Sequence, residues 1–126
     1  MYRIAKQFKF SASHQLVDLP TDHQCARLHG HNYAVDIVLE AETLDDVGFV
    51  VDYGALKRFS EFLDCKLDHR HLNDVVPMAT TAENLACWLF DVARGMYPQV
   101  SAIRVSETPT SWAEYAPTQQ ASELCV

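Results

Sequence analysis

The sequence predicts an α+β domain in which an antiparallel four-stranded sheet carries two helices on one face, in chain order ββααββ. Three observations predict it. Two long alternating stretches, 2–14 and 29–42, come first, two amphipathic helical stretches follow, and two shorter alternating segments close the pattern. Strands that are apolar on one side need a single helical layer, so both helices are expected on the same face.

With 126 residues, 48% of them hydrophobic, the chain is expected to form one domain over 1–126 with a real core. A formal charge of -7 and the lack of any Lys/Arg run argue against nucleic acid as a partner, because phosphate binding needs a basic surface. Met1-Tyr2-Arg3-Ile4-Ala5-Lys6 lacks the apolar core of a signal peptide, and no apolar run approaches the roughly 18 residues of a membrane span. A soluble, cytoplasmic protein is expected. In that compartment the four cysteines should stay reduced, with Cys65, Cys87 and Cys125 in small apolar or incidental roles. Cys25 differs by its neighbours.

In the first strand Phe8, Phe10 and Ala12 share a face opposite Gln7, Lys9, Ser11 and Ser13, and His14 closes the apolar side. The connection 15–28, with Asp18, Pro20, Asp22 and His23, has the length and irregularity of a functional loop. The second strand runs from His29 to about Glu42, with Tyr33, Val35, Ile37 and Leu39 on one face, and His29 and His31 continue that face. If the two strands pair as a hairpin, His14, His29 and His31 converge and Cys25 hangs over them from the connection.

Residues 43–48 read as a polar turn and 49–51 as a short extended piece. Asp52 can cap a helix from Tyr53 to about Asp64, whose Leu56, Phe59 and Leu63 recur at helical spacing. Residues 67–74 form a second polar cluster that includes Asp68, His69 and His71. Thr80-Thr81-Ala82-Glu83 has the form of a capping box with Thr80 as the cap, and Leu85, Trp88, Leu89, Val92 and Met96 then make one apolar stripe, ended by Gly95 and Pro98. In the strand 100–107, Glu107 occupies the place of the next buried side chain, where a carboxylate must be paired, exposed or held for a ligand. Residues 112–116 form the last strand, and the tail after about 117 is expected to be loosely held. The sheet's open edges predict a homo-oligomer.

Three histidines with an open fourth position suit catalytic zinc; closed by Cys25, the same set would be a structural site of a non-catalytic zinc-binding module. In the open case Zn2+ can bind a substrate oxygen and acidify a neighbouring C–H, with the Cys25 thiolate as general base, favoured by the metal or by a nearby imidazolium such as that of the Asp68–His69 pair. Glu107 suits a ligand with a forked N–H edge. A zinc hydrolase is a third possibility, but it gives Glu107 no role. For an anionic ligand Arg27 is the first cation to consider, then Lys9 and Arg70. His23 and His71 are read as non-ligands.

Phe10-Ser11-Ala12-Ser13-His14, Cys25-Ala26-Arg27-Leu28-His29-Gly30-His31, Asp52-Tyr53, Leu67-Asp68-His69-Arg70-His71-Leu72-Asn73, Thr81-Ala82-Glu83-Asn84 and Glu107-Thr108 together resemble the 6-pyruvoyltetrahydropterin synthase family. The likeness runs from Phe8 to about Tyr115. It is nearest to the branch that forms 6-carboxy-5,6,7,8-tetrahydropterin for queuosine biosynthesis, which the short spacing of three residues between Cys25 and His29 resembles; the pyruvoyl-forming branch has a longer insertion there. The resemblance implies a tunnelling fold, a homohexamer with sites at subunit interfaces, and zinc on His14, His29 and His31. It further implies Cys25 as proton acceptor, Asp68 and His69 as its relay, and Glu107, with Thr108 beside it, anchoring a pterin ring. The implied reaction converts 7,8-dihydroneopterin triphosphate to the 6-carboxy product with release of acetaldehyde and triphosphate. The sister branch, which makes a 6-pyruvoyl product and keeps the side chain, is the alternative.

Overall fold

The computed structural model describes residues 1–118; Cys125 and the tail beyond 118 lie outside the described residues. Four strands, β1 (Tyr2–His14), β2 (His29–Ala41), β3 (Val100–Thr108) and β4 (Ser111–Tyr115), form one sheet in the order β1-β2-β3-β4, every neighbouring pair antiparallel. Helices α1 (Lys57–Lys66) and α2 (Ala82–Met96) fall between β2 and β3, giving the expected ββααββ order. Nothing in the described residues is long and apolar enough to cross a membrane as a helix.

Alternation decides which face the helices cover. Phe10 and Ala12 of β1, Tyr33, Val35, Ile37 and Leu39 of β2, and Ile103 and Val105 of β3 are buried together against Phe59 and Leu63 of α1 and Leu85 and Leu89 of α2. Phe8 meets Phe59 edge-on at 5.9 Å, and Phe62 and Trp88 join the two helices at 5.8 Å. The opposite face is polar: Arg3 pairs with Glu40 across β1–β2, Gln7 donates to Asp36, and Arg104 pairs with Glu114 across β3–β4.

Local details depart from the sequence reading. Asp52 accepts from the Gly54 N–H as the expected cap, but the first turn, Tyr53–Leu56, is a 3-10 turn and the α-helix begins at Lys57. Residues 49–51 add no strand. Instead one Asp45 carboxylate oxygen accepts from the N–H groups of Val47, Gly48 and Phe49, closing a turn in which Gly48 takes a φ of 100°. The cap of α2 is Thr81, whose hydroxyl accepts from Asn84 N, and not Thr80. Its buried side is Leu85, Ala86, Leu89, Phe90 and Ala93, so the apolar face is wider than the expected stripe, of which Trp88, Val92 and Met96 are only half-buried. Phe90 is drawn inward by Tyr115 of β4, 5.2 Å away. Cys25 and Cys65 are free thiols, whereas Cys87 is in a disulfide, against the expectation of four reduced cysteines.

Candidate active site

The hairpin builds the site. β1 and β2 keep one register from Tyr2↔Ala41 to His14↔His29, so His14 ends one strand directly opposite the residue that begins the other. His31, two residues on, shares the face of His29 and stands opposite the small Ala12, which leaves room for the ring. Gly30 lies between them; a Cβ there would come 3.4 Å from the Ala12 carbonyl oxygen.

Hydrogen bonds fix two of the rings. His14 Nδ1 lies 2.8 Å from the Thr80 carbonyl oxygen and 3.1 Å from its hydroxyl, and His29 Nδ1 lies 2.7 Å from the Arg27 carbonyl oxygen. A carbonyl oxygen can only accept, so both Nδ1 atoms carry the proton and donate, and both Nε2 atoms present a lone pair. These two Nε2 atoms are 2.8 Å apart. His31 Nε2 is buried without a hydrogen-bond partner and lies 3.8 Å from Glu107 Oε2. Burial lowers the pKa of His14 against the opposing pull of the Thr80 carbonyl, and the other imidazoles lower it further. Three converging imidazole nitrogens, all within 4.8 Å of one another, fit a borderline-soft cation. A tetrahedral zinc at about 2.1 Å would need its nitrogens about 3.4 Å apart, a spacing that these separations straddle. Among the described residues the metal-capable group holds neither Cys25, His23 nor His71.

Cys25 is partly buried in a 3-10 turn, Gln24–Ala26, that is tied down from several sides. His23 Nδ1 accepts from Cys25 N, the Cys25 carbonyl accepts from Leu16 N, and the Gln15 amide donates to the Ala26 carbonyl. Asn73 then holds Gln15 itself, accepting from its N–H at 2.9 Å and donating to its carbonyl at 2.8 Å. Asp68 and His69 form a pair at 2.9 Å between Oδ2 and Nδ1. The other Asp68 oxygen accepts from Ser11 N, and this bond, followed by that from His69, holds the carboxyl below its ordinary range. His69 has a φ of 58° and an 82% exposed side chain. The bonds of this pair run to each other and to Ser11, and none reaches Cys25.

Glu107, at the end of β3, lines a cleft of about 580 Å³ together with Lys9, His31, Asn32, Ser106 and Thr108. The volume lies within the range of small-ligand sites. Arg27 is exposed, and it is its carbonyl, not its guanidinium, that is tied to the centre. The three histidines, Glu107 and Thr108 therefore gather at one end of the sheet, while the Asp68–His69 pair lies at the β1 edge, where His69 lines a second cleft that Gly30 and His31 share. Thr80, Asn73 and Tyr33 are site residues that the sequence does not single out. Its patterns make Thr80 a cap and Tyr33 a core residue, although Tyr33 continues the alternation of His29 and His31 and its hydroxyl has no place in an apolar core.

Fold and site together define an α+β enzyme domain with an imidazole trio at the open end of its longest hairpin. The chain belongs to the 6-pyruvoyl tetrahydropterin synthase family, whose profile matches residues 3–118, and it is a lyase of that family. It is 33% identical over 122 residues to a Synechocystis 6-carboxy-5,6,7,8-tetrahydropterin synthase, covering 91% of this chain and 93% of the relative. It is 32% identical over 96 residues to the Pyrococcus furiosus dihydroneopterin monophosphate aldolase, covering 76% and 78%. The Caenorhabditis elegans 6-pyruvoyl tetrahydropterin synthase superposes with a TM-score of 0.82 at 25% identity, over 93% of this chain and 96% of that one.

Proposed function

We propose that this chain is a zinc-dependent lyase that converts 7,8-dihydroneopterin triphosphate and water to 6-carboxy-5,6,7,8-tetrahydropterin, acetaldehyde and triphosphate, a step toward queuosine. The observation that carries the reading is the convergence of three imidazoles, His14, His29 and His31, a group that among the described residues includes no cysteine and so suits the open, catalytic type of zinc site. The name of the Synechocystis relative supports the choice of product. His14, His29 and His31 would hold zinc, which when bound would supply Lewis acidity toward a substrate oxygen.

The protein's own groups do the rest. The Thr80 and Arg27 carbonyls keep the lone pairs of His14 and His29 aimed inward. Glu107, with Thr108 beside it, receives the N–H edge of the pterin ring, fixing which side-chain carbon faces Cys25. Cys25 takes the proton from that carbon as general base, and the Asp68–His69 pair relays it. Because His69 is exposed and neither it nor Asp68 is bonded to Cys25 in its own chain, the pair serves the Cys25 of a neighbouring copy in a homo-oligomer, where two subunits complete one site. Arg27, on the rim, faces the triphosphate.

Incubating the zinc-loaded protein with 7,8-dihydroneopterin triphosphate should yield acetaldehyde and a pterin of the mass of the 6-carboxy product. A pyruvoyl product without acetaldehyde would move the chain to the reaction named for the Caenorhabditis elegans protein. No turnover with zinc in place would overturn both.

A further inference from the structure

Two buried side-chain polar atoms in the described residues have no hydrogen-bond partner: His31 Nε2 and the Tyr33 hydroxyl. Buried polar groups are almost always satisfied, so an orphan calls for an explanation. The imidazole trio explains the first. The second lies deeper, in a residue with no exposed surface.

Tyr33 stacks on Phe10 at 5.0 Å and stands edge-on to His31 at 5.5 Å and to His14 at 6.1 Å. On its other side the β2–β3 ladder pairs Val35 with Val105 and Ala34 with Ser106, so one step further along brings Tyr33 beside Glu107. Glu107 is the same carboxylate that approaches His31 Nε2. Both orphan atoms thus flank one acid. A phenylalanine would give the same stacking without burying an unpaired hydroxyl, so packing alone does not account for tyrosine here. A phenol keeps its proton at neutral pH, so toward a carboxylate the hydroxyl is a donor.

We propose that Tyr33 is a positioning residue whose hydroxyl hydrogen-bonds the Glu107 carboxylate and holds it toward the N–H edge of a bound pterin. The inference rests on the pterin reading above and adds to it the group that aims the acid. A rotation of the Glu107 side chain toward Tyr33 would satisfy the hydroxyl at one lone pair and leave acceptor capacity on both carboxylate oxygens for a forked N–H edge.

The test is binding of a fluorescent oxidised pterin, neopterin, to zinc-loaded protein, with wild type, Tyr33→Phe, Glu107→Gln and the double variant compared. Tyr33→Phe should weaken neopterin about tenfold, the loss of one bond to a charged group, while zinc content and melting temperature hold. In the Glu107→Gln background the same substitution should cost less than about twofold, because the group it acts through is gone. Unchanged affinity in Tyr33→Phe, a lowered melting temperature, or an equal loss in both backgrounds would overturn the proposal while leaving the pterin reading intact. Wild type that fails to bind neopterin would overturn the pterin reading and this inference with it.

Discussion

Cys25 lies in the turn that precedes His29 and is not one of the metal-capable group of His14, His29 and His31, so its two readings, general base and fourth ligand, are separated by substitution. Cys25→Ala should keep zinc content and melting temperature while lowering turnover by at least about a hundredfold, the usual range for a lost general base. Zinc loss on dialysis would instead make Cys25 the fourth ligand. Asp68 gives a pH signature of its own. Its carboxyl is held below its ordinary value of 3.8 by Ser11 N–H and then by His69, so the folded chain binds this proton less readily than the unfolded one. The stabilisation is therefore present above the ordinary value and lost as pH falls through the lowered one. Asp68→Asn should melt below wild type at neutral pH, with the gap closing as acid protonates the wild-type carboxyl; a gap that stays constant across thermal melts at stepped pH would refute this. The imidazole trio was legible in the sequence because strand periodicity fixes which side chains share a face. The partners of those imidazoles were not, because Thr80 and Arg27 act through backbone carbonyls that no spacing rule encodes.

Each strand end agrees with the alternation to within about two residues, since a change of face is visible in every side chain. Helix starts were harder to read. Two adjacent threonines precede α2, and the capping-box pattern favours Thr80, yet Thr80 is buried with its hydroxyl on His14 and Thr81 makes the cap. A tertiary demand at the site displaced the local rule by one residue. Thr81→Ala should cost about 1 kcal/mol of stability in urea melts, the usual worth of a cap, with little change in zinc affinity. Thr80→Ala should do the reverse at the site, weakening zinc as measured by chelator competition, because it removes a hydroxyl that faces His14 Nδ1. Equal effects from the two would contradict the assignment. The apolar face of α2 is wider than its stripe predicts for a related reason: Leu85, Trp88, Leu89, Val92 and Met96 all pack on the core, and Phe90 joins them to meet Tyr115, a partner supplied only after the sheet closes.

At the scale of the whole molecule, the sheet has two unlike edges. The end of β1 is occupied by its own chain, where Ser13 bridges His71 and Asp68 grips Ser11, while the other edge, among the described residues, is β4, a strand of five residues. If each site is completed between copies, two inactive variants should rescue one another. Mixing Cys25→Ala with His69→Ala chains, unfolding and reassembling them together, should restore activity toward a quarter to a half of wild type, depending on how many sites receive both intact halves. Mixtures no better than their components would place both groups in one chain. The continuous β1–β2 register has a bearing on how such enzymes can diverge. Because His14 and His29 are direct cross-strand partners, the span of the intervening chain is fixed by the ladder and not by its own length. Insertions or deletions between residues 15 and 28 can therefore reposition Cys25 while the imidazoles stay where they are. The hairpin is a fixed chassis and the loop an exchangeable cassette, so lineages can alter how a proton is removed, and hence which product leaves, without rebuilding the metal cradle.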